Sequence, residues 1–284
     1  MSHTIGNPLS WTAQRLNDAG HHLAASSREL GSDQAETPEV RNMDLSDISA
    51  ALKDGWEDFK ACRSDVMALV LVYPVVGLVL MGIGLHMALL PMLFPLVAGF
   101  AILGPVAAVG LYEMSRRREK GEVPHWGHAV AVMGSPGFGA LLVMGIYLAA
   151  LFVIWLLTAA EIHAMTMGAA MPETFSGFLY QLFGTSGGWW MILLGCSVGA
   201  AFALVALATS VVSFPLVIDR HVGAPMAVAT SIRVLKSNPM VVLCWGATLG
   251  ILMMLAAIPL LLGFIVVLPV LGHATWHFYR RAVV

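Results

Sequence analysis

The chain has 284 residues, 58% of them hydrophobic and only 11% charged, with a mean hydropathy of +0.80. Soluble domains carry about 45–50% apolar and about 25% charged residues, so this composition excludes an ordinary water-soluble fold and places the chain in lipid. The net charge of −2 carries little as a total, nothing in it suggests a nucleic-acid partner, and three cysteines are too few for a disulfide framework.

Residues 1–45 contain no continuous apolar stretch, which argues against a signal peptide and for a mobile cytoplasmic tail, with a short helical turn at 10–16. Beyond it, Ile48, Leu52, Trp56 and Phe59 share one helical face opposite Lys53, Asp54 and Lys60. Cys62 follows on the same cytoplasmic stretch and reads as a packing residue outside any disulfide, like Cys196 and Cys244 within apolar runs. About 20 apolar residues cross the hydrocarbon core. Runs of that length cover 66–89 and 92–114, and the charged break Arg116-Arg117-Arg118-Glu119-Lys120 ends the second. A second amphipathic stretch, 126–133, precedes a span at 137–160. The outer loop 161–188 carries Phe175, Phe178, Leu179 and Leu182 at the spacing of a surface helix, suited to anchoring or to docking a neighbour. A span at 190–218 follows, then a third amphipathic stretch with Met226, Val228, Ile232 and Leu235. Residues 239–258 and 260–278 complete the set, joined by a tight turn near Pro259. The expected fold is an all-α membrane protein of six transmembrane helices in three hairpins, each preceded by a short interfacial helix.

Positive charge fixes the orientation, because Lys and Arg near helix ends stay in the cytoplasm. With six spans and the N-terminus inside, all 15 basic residues fall in the inner segments 1–65, 115–136, 219–239 and the C-terminal end. Both termini are then cytoplasmic. Each inner segment closes with a similar motif: Arg63-Ser64-Asp65-Val66, Gly134-Ser135-Pro136-Gly137 and Lys236-Ser237-Asn238-Pro239. Ser, Asp and Asn cap helix starts and Pro suits the first turn, which is consistent with three repeated parallel units. Any loop between membrane helices shows such residues, so repetition and coincidence both fit.

Glu113 is the most suggestive single residue. Arg116 and Arg117, three and four positions on, share its helix face and can pair with it, and Tyr112 precedes it. A carboxylate at membrane depth is either a relay or, nearer the headgroups, a structural clamp, and the clamp is the expected role. Asp219 with Arg220 and His221 ends the fourth span in the same way and reads as a loop anchor. His273 and His277 have a chelating i, i+4 spacing, yet no carboxylate or third ligand stands near them in sequence, so no metal or haem site is assigned. With Trp276, Tyr279, Arg280 and Arg281 they read as an interfacial anchor belt.

The stretch from Gly104-Pro105 to Gly110-Leu111-Tyr112-Glu113, then Ser115-Arg116-Arg117 and Gly121-Glu122, resembles DUF2189, a bacterial family of predicted integral membrane proteins. The resemblance runs over about 45–282. Some members are catalogued provisionally as cytochrome c oxidase subunits, so it implies respiratory company and assigns no catalytic residue.

No nucleophile–histidine–acid pattern, phosphate loop or protease motif is present, and neither catalytic residues nor a cofactor are assigned. A transporter is conceivable, since Pro74, Pro95, Pro105, Pro215, Pro259 and Pro269 interrupt the spans. Polar residues within the spans are few, chiefly Thr158, Thr209, Ser210, Ser213 and Thr248, which suits only an apolar substrate. The expectation is a non-catalytic accessory or scaffold subunit of the bacterial inner membrane, contacting lipids and other membrane subunits, with an apolar-substrate permease as the alternative.

Overall fold

A computed structural model describes residues 37–62, 91–168, 174–257 and 262–284. The first expected span, the tail up to residue 36, Arg63 and the turn near Pro259 lie outside the described residues. Within them the regular structure is helical apart from one isolated bridge between Val40 and Val283.

Helix α1 (Leu45–Ala61) begins at a reciprocal cap, in which the Asp44 carboxylate accepts from Ser46 N at 2.5 Å and the Asp47 carboxylate from Asp44 N at 3.0 Å. A broken span follows. Helix α2 (Leu93–Phe100) passes through the tight turn Ala101–Leu103 and the short turn Gly104–Ala107 into α3 (Val109–Glu119). Pro105 stands in that passage and has no N–H to continue a helical ladder. Helix α4 (Trp126–Ala131) lies at the turn before α5 (Phe138–Met167). Helix α6 (Phe175–Gly184) precedes α7 (Ser186–Ser210), which runs with a break at residues 211–212 into α8 (Ser213–Arg220). Helices α9 (Ala224–Ser237), α10 (Pro239–Ala257) and α11 (Phe264–Ala282) complete the order. Helices thus stand at the three stretches expected to be amphipathic, as α1, α4 and α9, although Trp56 of the expected apolar face of α1 is exposed.

Among the described residues, four stretches are long and apolar enough to cross a membrane: Leu93–Glu119, Phe138–Met167, Ser186–Arg220 and Pro239–Ala257. They coincide with the second to fifth expected spans. The expected sixth span overlaps α11, which is not among the four. Its buried residues include His273, Trp276, Phe278 and Tyr279, and α1 and α3 cover this half of the helix.

Apolar side chains tie the spans together. Trp155 of α5 donates its indole N–H to Pro95 O at 2.8 Å, and Gly99 and Gly199 leave room for the ring on either side. Gly199 of α7 thus makes a close helix contact, while a Cβ on Gly195, one turn earlier, would meet nothing within 4 Å among the described residues. Outward faces of α5, α7 and α10, such as Ile146, Leu157, Leu193, Val205 and Met254, remain exposed and apolar, as lipid-facing surfaces are.

Two local expectations need correction. Asn238 does not cap α10 with its side chain. Its carboxamide accepts from Met43 N at 2.7 Å and donates to Arg41 O at 3.0 Å, pinning a remote segment. Ser135 likewise donates back to Val132 O at 2.7 Å, so the start of α5 has no side-chain cap. The segment just ahead of α1 is held as well: Arg41 N bonds Ala282 O and Val284 N bonds Glu39 O, each at 3.0 Å.

Candidate functional site

The polar residues of greatest consequence gather where α1, α3 and α11 meet. α1 approaches α11 through small residues, since a Cβ added to Gly55 would lie 2.5 Å from the backbone nitrogen of Ala274. One turn later this contact delivers Asp58 onto α11 and α3, where it is only 3% exposed. Its carboxylate accepts from Ser115 Oγ at 2.6 Å, from His277 Nε2 at 2.9 Å and from the Arg118 guanidinium. Ser115 Oγ also lies 2.7 Å from His273 Nδ1.

The proton positions follow from the donor inventory. An ionised carboxylate only accepts and a hydroxyl has one proton, so Ser115 donates to Asp58 and His277 carries its proton on Nε2. His273 must then donate from Nδ1 to Ser115 Oγ. That leaves the His273 Nε2 lone pair buried and, among the described residues, without a partner. Burial pushes the Asp58 carboxyl up, while the hydrogen bonds from His277 and Ser115 and the nearby imidazoles outweigh it and hold the group below its ordinary range.

Further pairs surround this centre. Asp54 accepts from Arg281 Nη2 at 2.6 Å. Glu119 accepts from Trp276 Nε1 and from Arg280 Nε, both at 3.0 Å, and Asp219 accepts from Tyr279 Oη at 2.7 Å and Arg280 Nη1 at 3.3 Å. On α3, Glu113 accepts from Arg116 Nε at 2.9 Å and Arg117 Nε at 2.7 Å, the intrahelical clamp anticipated from the spacing. Asp219 does anchor, but across to α11 rather than to Arg220. The anchor belt is corrected too: His273, Trp276 and Tyr279 are at most 1% exposed and face protein, because α1 and α3 cover the side that an interfacial belt would turn to lipid.

The carboxylate that the histidine pair lacks in sequence is therefore Asp58, 219 residues away from His277. The signal was present but unread: Asp58 stands on the small, apolar stripe of α1 with Ala51, Gly55 and Phe59, where a carboxylate is out of place unless paired. Serine, histidine and aspartate do converge here, but the serine proton is directed to the carboxylate rather than to a basic nitrogen, and Ser115 is 1% exposed. This is not the geometry of an activated nucleophile. Among the described residues, no three His, Cys, Asp or Glu side chains are grouped to hold a metal.

A second feature lies deeper along the spans. A groove of about 400 Å³ runs between the broken span Leu93–Glu119, α7, α10 and α11, with Gly104, Tyr112, Leu204, Trp245, Gly250 and Leu268 among its walls. Among the described residues, its lining contains no ionisable side chain other than Tyr112. The few hydroxyls of the spans serve their own helices: Thr158, Thr209, Ser210 and Thr248 each donate to the carbonyl four residues back, at 2.6–2.8 Å. Ser213 is buried without a partner among the described residues.

Residues 93–219 match DUF2189, a family of predicted integral membrane proteins. The DUF2189 segment takes in the broken span, α5 and α7, and both halves of the Glu113 clamp. It supplies Ser115, Arg118, Glu119 and Asp219 to the network, whereas Asp58, His273 and His277 lie outside it. The match is shorter than the 45–282 expected from the motifs. No curated protein and no solved structure matches the chain. Its multi-pass apolar helices and the DUF2189 match agree on an integral membrane protein.

Proposed function

We propose that this protein is a non-catalytic accessory or scaffold subunit of the bacterial inner membrane, built on six spans with both termini in the cytoplasm. The observation that carries this reading is the closed network at one end of the bundle. Asp54, Asp58, Glu113, Glu119 and Asp219 are each held by an arginine, a histidine or a ring hydroxyl. Carboxylates so committed brace helices against one another, and they leave the long apolar faces of α5, α7 and α10 as what the protein offers to its surroundings. Association with a respiratory complex such as cytochrome c oxidase rests on the provisional labels of some DUF2189 members. Gentle solubilisation of native membranes followed by affinity isolation should recover an oxidase together with a haem spectrum. A lone monodisperse particle would remove the respiratory assignment.

A second reading, a permease or binder for an apolar molecule, is supported by the groove. Under it, filling the groove abolishes uptake of an apolar solute into vesicles, and Glu113→Gln alters flux by loosening the clamp beneath the broken span. Under the scaffold reading both variants leave flux at background.

A further inference from the structure

We infer that the groove is a lipid site, holding one acyl chain of a membrane glycerophospholipid whose ester carbonyl accepts from the indole N–H of Trp245. The inference deepens the second reading and rests on the same groove.

The first argument is the match between the groove and one leaflet. Along α10 its walls run from Leu243 to Met253, which at 1.5 Å per residue is about 15 Å, half of the roughly 30 Å hydrocarbon core. Trp245 stands six residues beyond Pro239, about 9 Å along the helix from the charged end. Trp245 therefore stands toward the headgroup end of the groove wall on α10, which runs on to Met253. The volume of about 400 Å³ is at the small end of ligand pockets, fitting one chain rather than two.

The second argument is polarity. Ser210 and Thr275 in the lining are satisfied by their own helix, at 2.6 Å from Ala206 O and 2.7 Å from Leu271 O, and ask nothing of a ligand. Trp245 differs: its Nε1 is buried and, among the described residues, has no acceptor, while its ring is fixed by stacking on Phe278 at 4.9 Å between centroids. A buried donor without a partner is rare and calls for one, and an ester carbonyl on an otherwise apolar chain supplies a single acceptor. The third argument is space. Among the described residues, a Cβ placed on Gly104 or Gly250, both in the lining, meets no atom within 4 Å, which leaves room for a chain along these walls.

The test uses the full chain reconstituted in vesicles of phosphatidylcholine and phosphatidylglycerol, with a trace of phosphatidylcholine bearing a diazirine in one acyl chain. After irradiation, peptides covering 98–112 and 243–253 should carry about tenfold more label than the lipid-facing stretch 142–157 of α5. Gly104→Leu and Gly250→Leu should each abolish that excess and leave labelling of α5 unchanged. Trp245→Phe keeps the apolar wall and removes the donor, so the label should spread along the groove. Equal labelling of groove and α5, or an excess that survives both leucine variants, overturns the proposal. Should the leucine variants fail to fold, native mass spectrometry of the wild-type chain decides: one phospholipid retained after the annular lipids are stripped supports the site, and none retained overturns it. Loss of solute uptake in Gly250→Leu with no groove labelling in the wild type sinks the lipid and leaves the permease standing. Groove labelling with uptake at background does the reverse.

Discussion

Asp58 shows how one side chain sets the character of a helix contact. Taken into the interface alone, a carboxylate would be strongly unfavourable; with Ser115, His277 and Arg118 around it, the cost is offset and the contact becomes specific. Asp58→Asn keeps the shape and removes the charge: one oxygen still accepts, while the amide nitrogen turns a donor toward either Arg118 or the Ser115 and His277 pair. Breaking a fully buried pair costs about 3–5 kcal/mol, and because the Arg118 side chain is 37% exposed the expected loss is smaller, about 2 kcal/mol. Denaturation in mixed detergent micelles measures it. The sign with pH follows from the lowered carboxyl: ionisation is favoured in the folded state, so the stabilisation is complete above the ordinary aspartate value of about 4 and disappears as pH falls through the folded value. The stability gap between wild type and Asp58→Asn should therefore be constant from pH 7 to 5 and close on further acidification. A gap that widened with acid would contradict this account of the site.

Among the elements, α1 and α11 depend on each other most. Their backbones are brought together at Gly55 and Ala274, and a larger residue at 55 meets the backbone of α11, which cannot give way as a flexible side chain would. Gly55→Leu should release α1, measured as faster proteolysis within 45–61, while the apolar spans persist as helix by circular dichroism. The same pair shows what sequence can and cannot disclose. The second to fifth spans were legible because apolar length is a property of the chain itself, read without knowing any neighbour. The Glu113 clamp was legible for a similar reason, being an i, i+3 and i, i+4 affair within one helix. The burial of Trp276 and Tyr279 was not, because an aromatic–basic helix end looks the same whether lipid or protein lies against it. Asn238 misled in the same manner: it occupies a capping position, but Met43, 195 residues away, claims its carbonyl oxygen.

At the level of the whole molecule, charge and apolar surface are sorted to different places. The ion pairs stand together at one end and the exposed apolar faces run along the spans. Charge segregation predicts a sidedness that can be read directly. In a chain with Cys62, Cys196 and Cys244 replaced by serine or alanine, single cysteines at Lys120 and Lys236 should react with an impermeant maleimide from one side of sealed vesicles. One at Thr185 should react only from the other. Reaction of Lys120→Cys and Lys236→Cys from opposite sides would overturn the even-span architecture.

The pairing of residues 39–43 with Asn238 and residues 282–284 also imposes an order on biosynthesis. The segment ahead of α1 is translated before the spans, and its partners at the end of α11 after them. The spans can thus be inserted before that segment finds its seat. A nascent chain stalled short of Ala282 would already hold its spans and still lack its latch.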